Sequence, residues 1–203
     1  MNRDIAQIFE NIPGMISPKE GEFLYSLASK CSRGAIVEVG SSAGRSTACL
    51  ARGSKAGGKR PVYAVDPHNG GGATPDPTGW DSGADGTPNL KYYINQGSSF
   101  PQFQENMRKV QVDDIVKPLV NYSELAYKGW NQPIELLFID ADHRFNYVKM
   151  DFETWGSWVI SGGVILLHDS TFIGVRRVIN ELILPNPRYV DIQELPIFHV
   201  KVK

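Results

Sequence analysis

The sequence predicts an α/β protein built on a doubly wound, mostly parallel sheet, with helices on both faces and an antiparallel closing strand. Three observations carry that reading. Short, largely apolar runs at 35–39, 62–65, 136–139 and 164–167 suit strands buried on both faces. Helix-like segments separate them, and strands alternating with helices imply a parallel sheet covered on both sides. The last two runs, 188–192 and 197–202, follow one another closely, as an antiparallel pair would.

Each element has a local reason. Residues 1–32 form an N-terminal helical segment. Within it Ser17 can cap, Pro18 suits a first helical turn and Glu20 completes a capping box, so a helix runs to about Lys30 with Phe23, Leu24 and Leu27 on one face. The strand at 35–39 precedes a helix at 42–52, and the strand at 62–65 follows. A helix at 100–110 leads to a third short strand at 117–120. After the strand at 136–139, Val148, Phe152, Trp155 and Val159 recur at helical steps, predicting an amphipathic helix over 146–159. Gly162 and Gly163 end that region before the strand at 164–167. A helix over 174–184 stops at Pro185.

The 203 residues fit one domain, 1–203, with no internal repeat or linker. A net charge of −1 gives no footprint for nucleic acid or an anionic membrane, so a small-molecule partner is expected. Two cysteines, Cys31 and Cys49, exclude a disulfide framework and a zinc cluster. No apolar stretch approaches the roughly 20 residues of a membrane span, and the N-terminus lacks the apolar run of a secretory signal. A soluble, cytoplasmic protein is expected, with a homodimer the commonest assembly for such a chain. Many of the 20 glycines and 13 prolines fall at 68–90, a stretch without periodicity that reads as a lid or an insertion loop. Trp80 within it, with Tyr92, Tyr93 and Trp130, would shape a substrate pocket.

Ligands of an open parallel sheet bind beyond the carboxyl ends of its strands. After the first strand, Glu38, Gly40, Ser41 and Gly44 form a turn that allows close backbone approach, with a helix N-terminus beyond it. The spacing is G-x-x-x-G rather than the G-x-G-x-x-G of a dinucleotide site. Asp66 ends the second strand, where a carboxylate can accept both hydroxyls of a ribose. Ser123 follows the third strand, either at an adenine edge or as a helix cap. The fourth and fifth strands end in Asp140-Ala141-Asp142-His143 and His168-Asp169-Ser170. Five ionisable groups would converge there, and clustered carboxylates need a cation or an ammonium to neutralise them. His68 follows Asp66 closely enough to touch a ligand. His199 and Cys49 read as structural.

The segments VEVGSSAGRST, VYAVDPH, LLFIDADHRFNYVKMDFETW and GGVILLHDS resemble the class I S-adenosylmethionine-dependent methyltransferases, with their Rossmann-like fold. The likeness is greatest to the small O-methyltransferase-like branch with D-x-D-H and H-D strand ends, and it covers about 35–181. It implies a first cofactor motif at Glu38, Gly40 and Gly44, with Ser41 between them. It implies ribose contact at Asp66, adenine contact at Ser123 and an amino-group contact at Asp142, with Asp140 alongside. Metal-dependent members imply Asp140 and Asp169, with His168 beside them, as ligands of Mg²⁺ or another divalent cation. His143 matches the spacing of a catalytic histidine after the metal aspartate. Ser170 stands where catechol-type members have Asn, and His168 where sugar-modifying members have an acid.

The expected reaction is O-methylation of a small hydroxylated molecule, a sugar or a phenolic natural product. His143 would be the base and His168 its alternate. The rival readings are a metal-dependent hydrolase, a nicotinamide-dependent oxidoreductase, and a cofactor-binding partner subunit without catalysis.

Overall fold

The computed structural model describes residues 2–69 and 98–203. Most of the expected loop at 68–90, with Trp80, Tyr92 and Tyr93, lies outside the described residues. The described chain carries α1 (Arg3–Asn11), α2 (Pro18–Ala28), β1 (Ala35–Val39), α3 (Arg45–Ala56), β2 (Val62–Val65), α4 (Phe100–Lys109) and β3 (Val116–Leu119). It continues through α5 (Ser123–Ala126), β4 (Ile134–Ile139), α6 (Phe145–Gly156), β5 (Val159–Leu167), α7 (Ile173–Val178), β6 (Tyr189–Gln193) and β7 (Phe198–Val202).

The seven strands form one sheet in the order β3-β2-β1-β4-β5-β7-β6. Pairing is parallel from β3 to β5 and antiparallel at β5/β7 and β7/β6, as the sequence predicts. The chain reverses its direction across the sheet between β1 and β4, which opens a crevice above their carboxyl ends. Strand alternation divides the core. Ile36, Leu136, Phe138 and Leu166 pack under α1 to α4, while Val37, Val39, Leu137, Ile139 and Ile165 pack under α6 and α7.

Boundaries differ from the expectation where tertiary pairing overrides local pattern. β5 starts at Val159, where a helix was expected to end, because Val159 pairs with Ile134 and a register shift absorbs the glycines before Val164 meets Leu136. Gly162 supports that irregularity at φ +81°. The helix expected over 174–184 keeps α geometry only to Val178, and its last turn widens to a π type over Ile179–Ile183. α1 is capped by the Asn2 side chain, which accepts from the Asp4 N–H at 2.9 Å. Trp130 is a core residue rather than a pocket wall: it is buried edge-on against Tyr63 and Trp155, and its Nε1–H donates to the Gln132 carbonyl.

Candidate active site

Two loops at the ends of β1 and β2 are clamped together by one carboxylate. Asp66 Oδ2 accepts from the Ser41 and Ser42 N–H groups at 3.0 and 2.8 Å, and Oδ1 accepts from the His68 N–H at 2.7 Å. Gly40 is left-handed at φ +92°, and a Cβ there would stand 2.2 Å from the Asp140 carbonyl oxygen. Only glycine lets the β1 loop close on the end of β4 in this way. Gly44 caps α3 at φ +91°, with Met107 and Phe103 packed against it. Asn106 holds the loop from below, donating to the Ala43 carbonyl at 2.8 Å.

Glu38 works beneath this loop. It is fully buried and accepts a short hydrogen bond from Thr47 Oγ1 on α3. Burial pushes its carboxyl up to about 8, which favours the neutral acid. Ser41 is buried as well, and its backbone N–H is engaged by Asp66. His68 packs between Phe100 and Phe103 with Nδ1 2.8 Å from Ser99 Oγ, and burial holds its pKa down. It is a buried wall of the crevice rather than an exposed contact.

Ser123 begins α5, whose cap is Tyr122. Its hydroxyl donates a short bond to Asp151 and accepts from Trp155 Nε1–H at 2.8 Å, so α6 already engages it. Burial lifts the Asp151 carboxyl to about 7. Asp142 turns onto Arg144, whose Nε lies 3.0 and 2.9 Å from its two oxygens. Despite some burial, that guanidinium holds its carboxyl below the usual range.

The fourth and fifth strand ends do converge. His143 Nε2 lies 3.0 Å from Asp169 Oδ2. His168 Nδ1 lies 3.1 Å from both Asp140 Oδ1 and Asp169 Oδ2. The His143 ring stacks on Phe172 at 4.8 Å. Asp169 adopts φ +51°, a left-handed conformation uncommon for non-glycine residues but open to aspartate. Asp140 is pushed upward, first by burial. Against burial, His143 and His168 hold Asp169 well below the carboxylate range. His168 is pushed up to about 12, because burial is outweighed by Asp140, Asp169 and Glu20. With carboxylates at both ring nitrogens it holds its proton, so it does not serve as the resting base.

Glu20 was not among the residues expected here. It sits in the first turn of α2, and its Oε1 lies 3.4 Å from His168 Nε2. A capping-box glutamate needs only one oxygen for its cap, and the unassigned second oxygen is the one signal the sequence carried. A cavity of about 230 Å³ near Phe152, Leu182 and Tyr189, between α6 and β6, contains none of these groups.

The family model described as a methyltransferase domain matches residues 37–170. The chain belongs to that family. The class I S-adenosylmethionine-dependent assignment implied by the motifs stands on this match, and the dehydrogenase and hydrolase alternatives give way to it. Solved structures share the fold. An O-methyltransferase from Bacillus cereus in complex with SAH is 19% identical with a TM-score of 0.65, covering 100% of this chain and 92% of that one. The O-methyltransferase NovP is 15% identical with a TM-score of 0.68, covering 94% and 82%. TomG from Streptomyces achromogenes, involved in tomaymycin synthesis and in complex with SAM, is 14% identical with a TM-score of 0.64, covering 100% and 91%. Among the described residues of this methyltransferase, no helix is long and apolar enough to cross a membrane.

Proposed function

We propose that this methyltransferase moves the methyl group of S-adenosylmethionine to a hydroxyl of a small acceptor, a sugar or a phenolic natural product. The carrying observation is the His143–Asp169 pair, 3.0 Å apart, at strand ends beside the Asp66-clamped glycine loop. Gly40, Ser41 and Gly44 would let the cofactor approach the backbone, with Glu38 supporting the loop from below. Asp66 keeps one lone pair, at Oδ1, for a ribose hydroxyl, Ser123 borders the adenine side, and Asp140 and Asp142 border the amino end.

A hydroxyl is a weak nucleophile at neutral pH, and the sulfonium supplies an activated methyl. His143 takes the hydroxyl proton at the nitrogen opposite its Asp169 contact, Nδ1, as the oxygen attacks. The methyl–sulfur bond breaks and S-adenosylhomocysteine leaves. Asp169 fixes the imidazole and stabilises the imidazolium that forms.

The donor set suits a divalent cation: Asp140, His143 and Asp169 each offer an atom within 4.8 Å of the others, and His168 Nδ1, 3.1 Å from both aspartates, would join them only on giving up its proton for the ion. Asp140, Asp169 and His168 would hold it, leaving His143 as base. Bound there, the cation would lower the pKa of the acceptor hydroxyl. The test is S-adenosylhomocysteine release over a panel of sugars and phenols, with and without divalent ions. A methyl ether product is expected. Cofactor binding without product from any hydroxylated acceptor overturns the reading.

A further inference from the structure

Glu20 reaches the site from a helix that lies outside the matched family region of 37–170. Its two oxygens face different partners. Oε2 accepts from the Ser17 N–H and hydroxyl, both at 2.7 Å, and this is the cap of α2. Oε1 faces His168 Nε2 at 3.4 Å. On the opposite edge of that ring, Nδ1 points between Asp140 and Asp169 at 3.1 Å from each. An imidazole with carboxylates within ion-pair distance of both nitrogens cannot flip or rotate without moving a nitrogen away from a charged neighbour. Phe138 packs edge-on against the same ring at 6.0 Å and limits its tilt.

We propose that Glu20 is a positioning residue for methyl transfer, aiming His168 Nδ1 at the Asp140/Asp169 pair. Its carboxylate faces Nε2, and so fixes which edge of the ring faces the strand ends. A carboxylate behind a metal-ligating histidine typically contributes 10–100-fold in metal affinity or activity, although it never touches the reacting atoms. The N-terminal helices thus serve catalysis as well as covering the sheet. The proposal rests on the methyl-transfer reading for its kinetic arm only.

Two variants separate positioning from capping. Glu20→Gln keeps an acceptor for the Ser17 N–H, since Gln serves in a capping box as Glu does. It can instead present an amide N–H to Nε2, the reverse of what the carboxylate demands. Ser17→Ala weakens the cap and leaves the His168 contact. Long-range ¹H–¹⁵N correlation spectra of the resting protein, with His168 assigned by His168→Asn, read the ring directly. The expected result is an altered His168 signature and a kcat lowered about tenfold or more in Glu20→Gln, with the KM for S-adenosylmethionine within twofold. Ser17→Ala is expected to lower Tm while leaving kcat and the His168 signature as in wild type. An unchanged ring signature in Glu20→Gln overturns the proposal, as does an unchanged kcat. The spectra need no turnover, so a wild-type chain that methylated nothing would overturn the proposed function and leave the spectral result to decide Glu20.

Discussion

Replacing Asp66 by Asn isolates the clamp on the cofactor loop. The carboxylate accepts three backbone N–H groups, two at Oδ2 and one at Oδ1. An amide keeps one acceptor oxygen. In its better orientation it retains Ser41 and Ser42 and turns an NH₂ on the His68 N–H, losing one charge-assisted bond and setting donor against donor. In the other orientation two bonds are lost. Hydrogen bonds to charged groups contribute about 1.5–3 kcal/mol each. The loss divides between the resting fold and the bound state, because the loop relaxes when the clamp opens. S-adenosylhomocysteine should therefore bind about tenfold or more weakly by isothermal titration calorimetry. Tm should also fall, by roughly 2–4 °C for each kcal/mol in a domain of this size. Binding within twofold of wild type, at unchanged Tm, would refute the reasoning.

Three other substitutions probe the rest of the site. His143→Ala should reduce turnover by roughly 10²-fold or more while calorimetric affinity for S-adenosylhomocysteine is retained; wild-type turnover removes His143 as base. Gly174→Ala would set a Cβ 2.1 Å from the His143 carbonyl oxygen and 2.6 Å from the Phe145 nitrogen. It should cost about 1–3 kcal/mol in urea unfolding and lower kcat more than cofactor affinity, and wild-type kcat would contradict that coupling. Asp151 has its carboxyl raised to about 7 by burial, so the folded state favours the protonated acid. That contribution is complete below the unfolded value of about 4 and is lost as pH rises to about 7, on the order of 4 kcal/mol at roughly 1.4 kcal/mol per pKa unit. Asp151→Asn should thus gain on wild type between pH 4.5 and 8 in urea unfolding; parallel curves would contradict it.

Much of this architecture was legible because it is written in local patterns. The buried strands at 35–39 and 62–65 appear as largely apolar runs, and the Ser17–Glu20 capping box forms as its spacing predicts. The convergence of Asp140, His143, His168 and Asp169 followed from placing two polar strand ends side by side. What stayed hidden depends on contacts distant in sequence. Nothing near Glu20 announces His168, since their meeting needs α2 folded over the sheet. Trp130 and Ser123 looked available for a ligand until Trp155 and Asp151, on α6, engaged them. The early start of β5 at Val159 likewise required Ile134 as a partner, which periodicity within 146–159 does not encode.

In the proposed reaction, one crevice above β1, β2, β4 and β5 seats the cofactor and carries the chemistry. A crystal structure with S-adenosylhomocysteine and magnesium tests it most directly. Expected there are a ribose hydroxyl on Asp66, the thioether sulfur facing the His143–Asp169 pair, and any bound ion at Asp140 and Asp169. A cofactor seated elsewhere, or one whose sulfur faces away from His143, would contradict it.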